Sequence, residues 1–181
     1  FGDLLTIAAD DKAAISDYRD AFSPAYQSRY SATEALNDIA ILRALGDGQG
    51  IATRLQAQAG DDRRLGLKFY HHASAIPLSD RVPLLEAFGF RVIDERTYTI
   101  TPRDGVERYL HDMLLEPGDE GRVDVAERGA AIEAGLLAVW DGLAESDQIN
   151  TLVTQTTLDW TEAGLLRALS RDLGLTLVFI A

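Results

Sequence analysis

The sequence predicts an α+β fold: an antiparallel sheet with helices on one face and further helices flanking it. Three observations predict it. Apolar residues alternate with polar ones in two runs joined by a turn, Ile51–Ala57 and Leu65–Tyr70, the period of a half-buried strand. In the first and last parts of the chain apolar residues recur every three to four positions, the period of an amphipathic helix. From Arg64 the elements run strand, helix, strand, strand, helix, most of a split βαβ pattern.

Each element has its own local reason. From Asp10 to about Phe22, Ala14, Ile15, Tyr18 and Phe22 fall at helical spacing. Ser23-Pro24 interrupts that run, because a proline disfavours the α region at the residue before it. A second helix starts at Ser31, where Ser31 and Glu34 have the spacing of a capping box. Leu36, Ile39, Leu42 and Leu45 form its apolar face, and Gly46 stops it. In the hairpin, Ile51, Leu55 and Ala57 share one face, and Gly60-Asp61-Asp62 is expected to turn the chain. Leu65, Leu67 and Phe69 then alternate with Gly66, Lys68 and Tyr70, so each strand is expected to bury one face.

Pro77–Phe88 reads as a short helix capped by Ser79, with Pro83 near its first turn. Val82, Leu85 and Phe88 are expected to face inward, and Gly89 ends the helix. Strands follow at Phe90–Ile100 and Val106–Leu115, joined by the turn-forming Thr101–Gly105. A long helix over about Asp124–Leu143 sets Val125, Ile132, Leu136, Val139, Trp140 and Leu143 on one face. Asp159-Trp160-Thr161-Glu162 starts another, whose buried side is expected to hold Leu165, Leu166, Leu169 and Leu173. Leu175–Ile180 is available as a last strand, which would complete the βαββαβ order of ferredoxin-like domains.

The 181 residues suit one ordinary domain or two small ones, and 46% are apolar, as in a globular protein. With 17 basic against 29 acidic residues the net charge is -12, which repels nucleic-acid phosphates and anionic membrane surfaces. The absence of cysteine excludes disulfides, thiolate catalysis and cysteine-based zinc sites, and fits a reducing cytoplasm, the expected location. No apolar run reaches the ~20 residues of a membrane span, and no signal peptide opens the chain. The chain begins at Phe1 and ends in the apolar run Leu175–Ala181, so a piece of a longer protein is expected. Residues 1–50 read as a helical segment and 51–181 as the α+β domain with a helical extension.

The search for chemistry yields no catalytic, cofactor-binding or metal-binding residue. His71 and His72 are adjacent on a strand and point to opposite faces. His111-Asp112 has the letters of a metal-dependent phosphohydrolase doublet, but that chemistry needs further His and Asp ligands from helices. Surface or edge positions are the plainer reading for these histidines. Gly46–Gly50 follows a helix and precedes a strand, the reverse of a dinucleotide-binding loop. Glu116 with Asp119 and Glu120 imitates a carboxylate pair, yet sits beside Pro117 and Gly118 in an expected exposed loop. Tyr26, Tyr30, Trp140 and Trp160 read as core or interface aromatics.

Three stretches resemble the large NAD-dependent glutamate dehydrogenases of bacteria. They are Phe22–Tyr30 followed by Ala35–Ile39; Pro77–Glu95 ending in Tyr98; and Ala138–Gly142 through Asp147–Leu152 to Leu158–Ala168. They stand in that family's order and at about its spacing. The resemblance implies an ACT-like interior unit, N-terminal to the catalytic domains, in an enzyme that oxidises L-glutamate to 2-oxoglutarate and ammonia with NAD. The family's glutamate-binding lysines and nucleotide-binding glycines lie downstream, so NAD belongs to the parent enzyme and no cofactor to this segment. Implied partners are other segments of the parent, a second copy, and an amino-acid effector. The connection His72–Pro77, where ACT domains often bind amino acids, lacks their usual glycine-rich pattern, so no effector residue is assigned. The rival readings are a free-standing ACT-like amino-acid sensor and a small enzyme with an unrecognised site. Self-association stays open, since two amphipathic helices favour it and the charge opposes it.

Overall fold

A computed structural model describes residues 1–2, 16–45, 50–118 and 121–174. The fold is α+β, as the sequence predicts. Strands β1 (Ile51–Gln58), β2 (Asp61–His72), β3 (Phe90–Ile100) and β4 (Arg108–Pro117) form a four-stranded antiparallel sheet in the order β1-β2-β4-β3. Helix α3 (Leu78–Ala87) joins β2 to β3, and β4 lies between those two strands, which makes the βαβ unit a split one. The edge beside β2 is taken by β1, through a tight hairpin. The sequence had Leu175–Ile180 available as a further strand; these lie outside the described residues. By contacts the chain divides into two compact units.

The first unit is Phe1–Ala52, Lys68–Ile76 and Arg96–Asp112. The helix expected over Asp10–Phe22 fails where it is described: Ser16–Tyr18 forms a single 3-10 turn and Phe22 is bridged to Ile100, while residues 10–15 lie outside the described residues. Helix α1 (Pro24–Arg29) starts where the sequence shows a break. Pro24 lacks the N–H that a first helical residue does not need, and Ser23 Oγ accepts the Tyr26 N–H at 3.3 Å. Helix α2 (Ala32–Leu45) follows, with Ser31 Oγ accepting the Glu34 N–H at 3.2 Å. Phe22, Tyr26, Ile39, Leu42, Tyr70 and Ile100 form the unit's core. Here the expectation of one buried face fails. Lys68, Tyr70 and His72 of β2 are buried, and so are Leu65, Leu67 and Phe69 on the opposite face. Period-two alternation reports polarity, and polar side chains can be buried when given partners.

The second unit is Thr53–Leu67, Pro77–Glu95 and Met113–Ala181. The hairpin turns at Ala59-Gly60, a residue earlier than expected, with Gly60 in the left-handed region at φ 81°. Helix α3 begins at Leu78, with the N–H of Asp80 and of Arg81 bonded to the Pro77 carbonyl. Ser79 is therefore inside the helix and does not cap it; its hydroxyl donates to Asp80. Pro83 lies deeper than the first turn and leaves the Ser79 carbonyl without its usual donor four residues on. The buried face of α3 holds Arg81, Leu84 and Leu85, with Phe88 just beyond; Val82 is half-buried. Arg81 was missed because its burial depends on a distant partner, Glu95, at 2.9 Å.

Helix α4 (Val125–Trp140) is capped by Asp124, whose carboxylate accepts the N–H of Ala126 and of Glu127. It stops earlier than expected. The N–H of Leu143 bonds the Ala138 carbonyl at 2.8 Å and that of Gly142 bonds Val139 at 3.1 Å, with Gly142 at φ 72°. This Schellman closure turns the chain away, so Leu143 is 70% exposed instead of on the buried face. A short helix α5 (Thr151–Gln155) precedes α6 (Trp160–Asp172). Asp159 and Glu162 close the predicted capping box at the start of α6. The expected buried leucines of α6 are on its open side, and the buried residues are Ala163 and Arg167. Among the described residues no helix is long and apolar enough to cross a membrane.

Candidate functional site

A dense polar constellation lies in the first unit, around Asp38. On α2, Glu34 and Asp38 stand four residues apart and so share a face. Asp38 has 0% exposure, although it sits next to the apolar Ile39. Its carboxylate accepts from Tyr26 Oη at 2.5 Å, Tyr70 Oη at 2.7 Å and Lys68 Nζ at 2.8 Å. Lys68 Nζ also donates to Glu34 at 2.7 Å and lies 4.2 Å from the centre of the Tyr30 ring, a cation–π distance. Tyr30 Oη in turn donates to Asp112, which Arg29 Nε holds at 3.3 Å. The carboxylate of Glu34, expected to close a capping box, thus accepts from Lys68.

The chemistry open to this cluster is narrow. Burial first, and then the Asp38 carboxylate, push the Tyr26 hydroxyl far above the ordinary phenol range. Burial and Asp112 do the same for Tyr30. Both phenols therefore stay protonated near neutrality. Both are fixed donors, and the lysine is enclosed by carboxylates and a ring. The arrangement clamps α1 and α2 onto β2 by charge and direction.

In the second unit, Arg167 of α6 donates to both carboxylate oxygens of Asp147, at 2.7 and 2.8 Å, and to Asn150 Oδ1 at 2.8 Å. Burial would raise the Asp147 carboxyl, but the Arg167 guanidinium outweighs it and holds it low. Arg128 of α4 donates to the carbonyls of Val153, Thr157 and Leu158, fixing the link between α5 and α6. Among the described residues, shallow grooves accompany these elements. One, about 350 Å³, is lined by Leu143, Trp160, Gly164 and Arg171; another, about 300 Å³, by Phe88, Gly89, Arg122 and Thr154.

The residues singled out in the sequence take other places. His71 Nδ1 donates to the Ser74 carbonyl at 2.7 Å, and buried His72 Nε2 donates to the Leu42 carbonyl at 3.1 Å. His111 is buried and accepts the Ile76 N–H on Nε2 at 3.0 Å, which leaves its proton on Nδ1, 2.7 Å from Thr97 Oγ1. The surface reading was therefore wrong for His72 and His111, which hold backbone. Asp112 serves Tyr30 and Arg29, so the His111-Asp112 doublet is split between tasks. Glu116 belongs to β4 and not to a loop; Arg64 and Arg91, each at 2.8 Å, hold its carboxyl low. Asp119, Glu120 and residues 46–49 lie outside the described residues. Trp140 and Trp160 are half-buried. Among the described residues no group of three or more His, Cys, Asp or Glu could hold a metal ion. Reasoning from sequence missed the Asp38–Lys68 cluster. Its signal was the Glu34/Asp38 pair on one helix face opposite a lysine set between Leu67 and Phe69.

The split sheet and the clamped helical motif define the class. Residues 51–128 match the family model for the ACT3 domain of glutamate dehydrogenase, and residues 9–45 match that for its helical motif 2. The chain is similar to the NAD-specific glutamate dehydrogenase of Halomonas elongata, at 35% identity over 161 residues. Those of Pseudomonas aeruginosa and Mycobacterium tuberculosis are each 29% identical to it, over 160 and 162 residues. The matches cover 88%, 88% and 86% of this chain and 10% of each relative. The chain belongs to the family of large NAD-specific glutamate dehydrogenases, as a fragment that spans about a tenth of the length of the curated relatives it matches.

Proposed function

We propose that this chain is a non-catalytic regulatory or assembly segment of an enzyme that oxidises L-glutamate to 2-oxoglutarate and ammonia with NAD. The name of the relatives, NAD-specific glutamate dehydrogenase, supports the reaction and the cofactor, both of which belong to the parent enzyme. Their tenfold greater length supports a segment over a free-standing sensor. We place the helical segment at residues 1–50 and the ACT-like domain with its helical extension at 51–181, which the matched ranges 9–45 and 51–128 support.

One observation carries the structural part of this reading. The buried Lys68–Asp38 pair ties α2 to β2, so a displacement of one is felt by the other. Such a rigid coupling suits a part that transmits position and performs no chemistry. Two assays test it. The isolated chain, given glutamate and NAD, should form no NADH above blank; clear NADH formation would overturn the non-catalytic reading. In the full-length enzyme, Asp38→Asn should change kcat, glutamate response or oligomer profile. Wild-type values for all three would overturn the regulatory or assembly role.

A further inference from the structure

Helix α6 turns a leucine face away from the described residues of its own unit. Leu165, Leu166, Leu169 and Leu173 are 62, 38, 48 and 68% exposed. At 3.6 residues per turn these four lie on one stripe, and the buried Ala163 and Arg167 lie on another side of the helix. A single exposed leucine is ordinary, but four on one stripe of a capped helix make an exposed apolar face, the kind of patch that marks interaction sites. Leu166, Leu169 and Leu173 repeat at spacings of three and four, the alternation by which one helix packs along another.

The stripe's borders choose the occupant. Glu162, whose carboxylate also accepts the Asp159 N–H, heads it at the N-terminal end and Asp172 lies beside it; both are exposed and acidic. A second copy would bring the same acidic borders and a further net charge of -12, so self-pairing is opposed. The relatives are about ten times as long as the matched region, so the family's polypeptide has many other helices to offer. We propose that the α6 leucine face seats an amphipathic helix from another part of the same polypeptide, with an aliphatic stripe bordered by Lys or Arg. The proposal rests on the reading of this chain as a segment of the longer enzyme.

A photo-crosslinking phenylalanine placed at Leu169 in the full-length enzyme tests it, with the same probe at exposed Arg63 as background. The expected result is crosslinks to one stretch outside these 181 residues, at positions three or four apart. Adding Asp172→Lys should lower the crosslink yield several-fold. Crosslinks to α6 of another copy would overturn the proposal, as would a yield no higher than at Arg63. An unchanged yield with Asp172→Lys would overturn the basic borders. The NADH assay on the isolated chain keeps the two readings apart. An inactive chain with no crosslinks sinks only the docking face, and an active chain sinks the functional reading whatever the crosslinks show.

Discussion

Two buried places in this chain are held by opposite means. In the first unit Lys68 and Asp38 are buried charges, and what fixes them is direction: each donor has a named acceptor. In the second unit Phe88 is buried by shape. Its ring lies against Gly135 of α4, where an added Cβ would come 2.8 Å from Phe88 Cε1. Its carbonyl is held by Thr154 Oγ1 at 2.8 Å. The charged site tolerates little change in chemistry, since a lone buried charge is costly. The apolar site tolerates little change in volume, since a void forfeits packing on every side. The first suits a joint that must hold one alignment, the second a core that must be filled.

The largest expected effect breaks the charged site. Lys68→Met leaves Asp38 buried beside two phenols and should cost about 3–5 kcal/mol. Adding Asp38→Asn removes the stranded charge, so the double variant should lose much less than the sum of the singles. Urea unfolding of the four proteins gives the coupling; strict additivity would show that the pair is not a unit.

Next comes the apolar site. Phe88→Ala should cost roughly 3–5 kcal/mol, as for a fully buried aromatic. A loss below about 1 kcal/mol would mean that the ring's surroundings collapse easily and the contrast is false.

Gly135→Ala sharpens the comparison on a smaller scale. Helix propensity favours alanine by about 1 kcal/mol, but the new methyl meets Phe88 and overpacking costs about 1–3 kcal/mol. The clash should win, with a net loss of about 1 kcal/mol. Phe88→Leu in the same chain should make the alanine favourable again, and a thermal melt of the pair reads the change of sign.

The smallest effect is electrostatic. Arg108 first, and the Val106 N–H second, lower the Asp104 carboxyl to about 2. A carboxyl lowered in the folded state stabilises at pH above its unfolded value of about 4, and that contribution fades as pH falls towards 2. Asp104→Asn should therefore flatten the acid side of the stability curve slightly. Asp104 is largely open to solvent, so the effect should shrink with salt. Stability of the variant measured at pH 5 and 2.5, at low and high salt, checks both points.

Much of the secondary structure was legible in the residues. Strand β3 runs over Phe90–Ile100 as expected, and the starts of α2, α4 and α6 fall at Ser31, Asp124 and Asp159. These signals are local: a cap or a turn acts within four residues, so neighbours in sequence suffice. The family was legible for a similar reason, since its motifs are continuous stretches. The site was not legible, because it is built from pairings far apart in the chain. Lys68 meets Asp38 across 30 positions, and Arg81 meets Glu95 across 14. Nor does amphipathicity say what a face will meet. Leu85 found an interior and Leu169 did not, although both lie on apolar stripes. The sequence alone determined where elements begin, their periodicity and the net charge. Only the tertiary structure decided which polar residues are buried, that β1 takes the edge beside β2, and which leucines are left open, because burial depends on which distant segments come together.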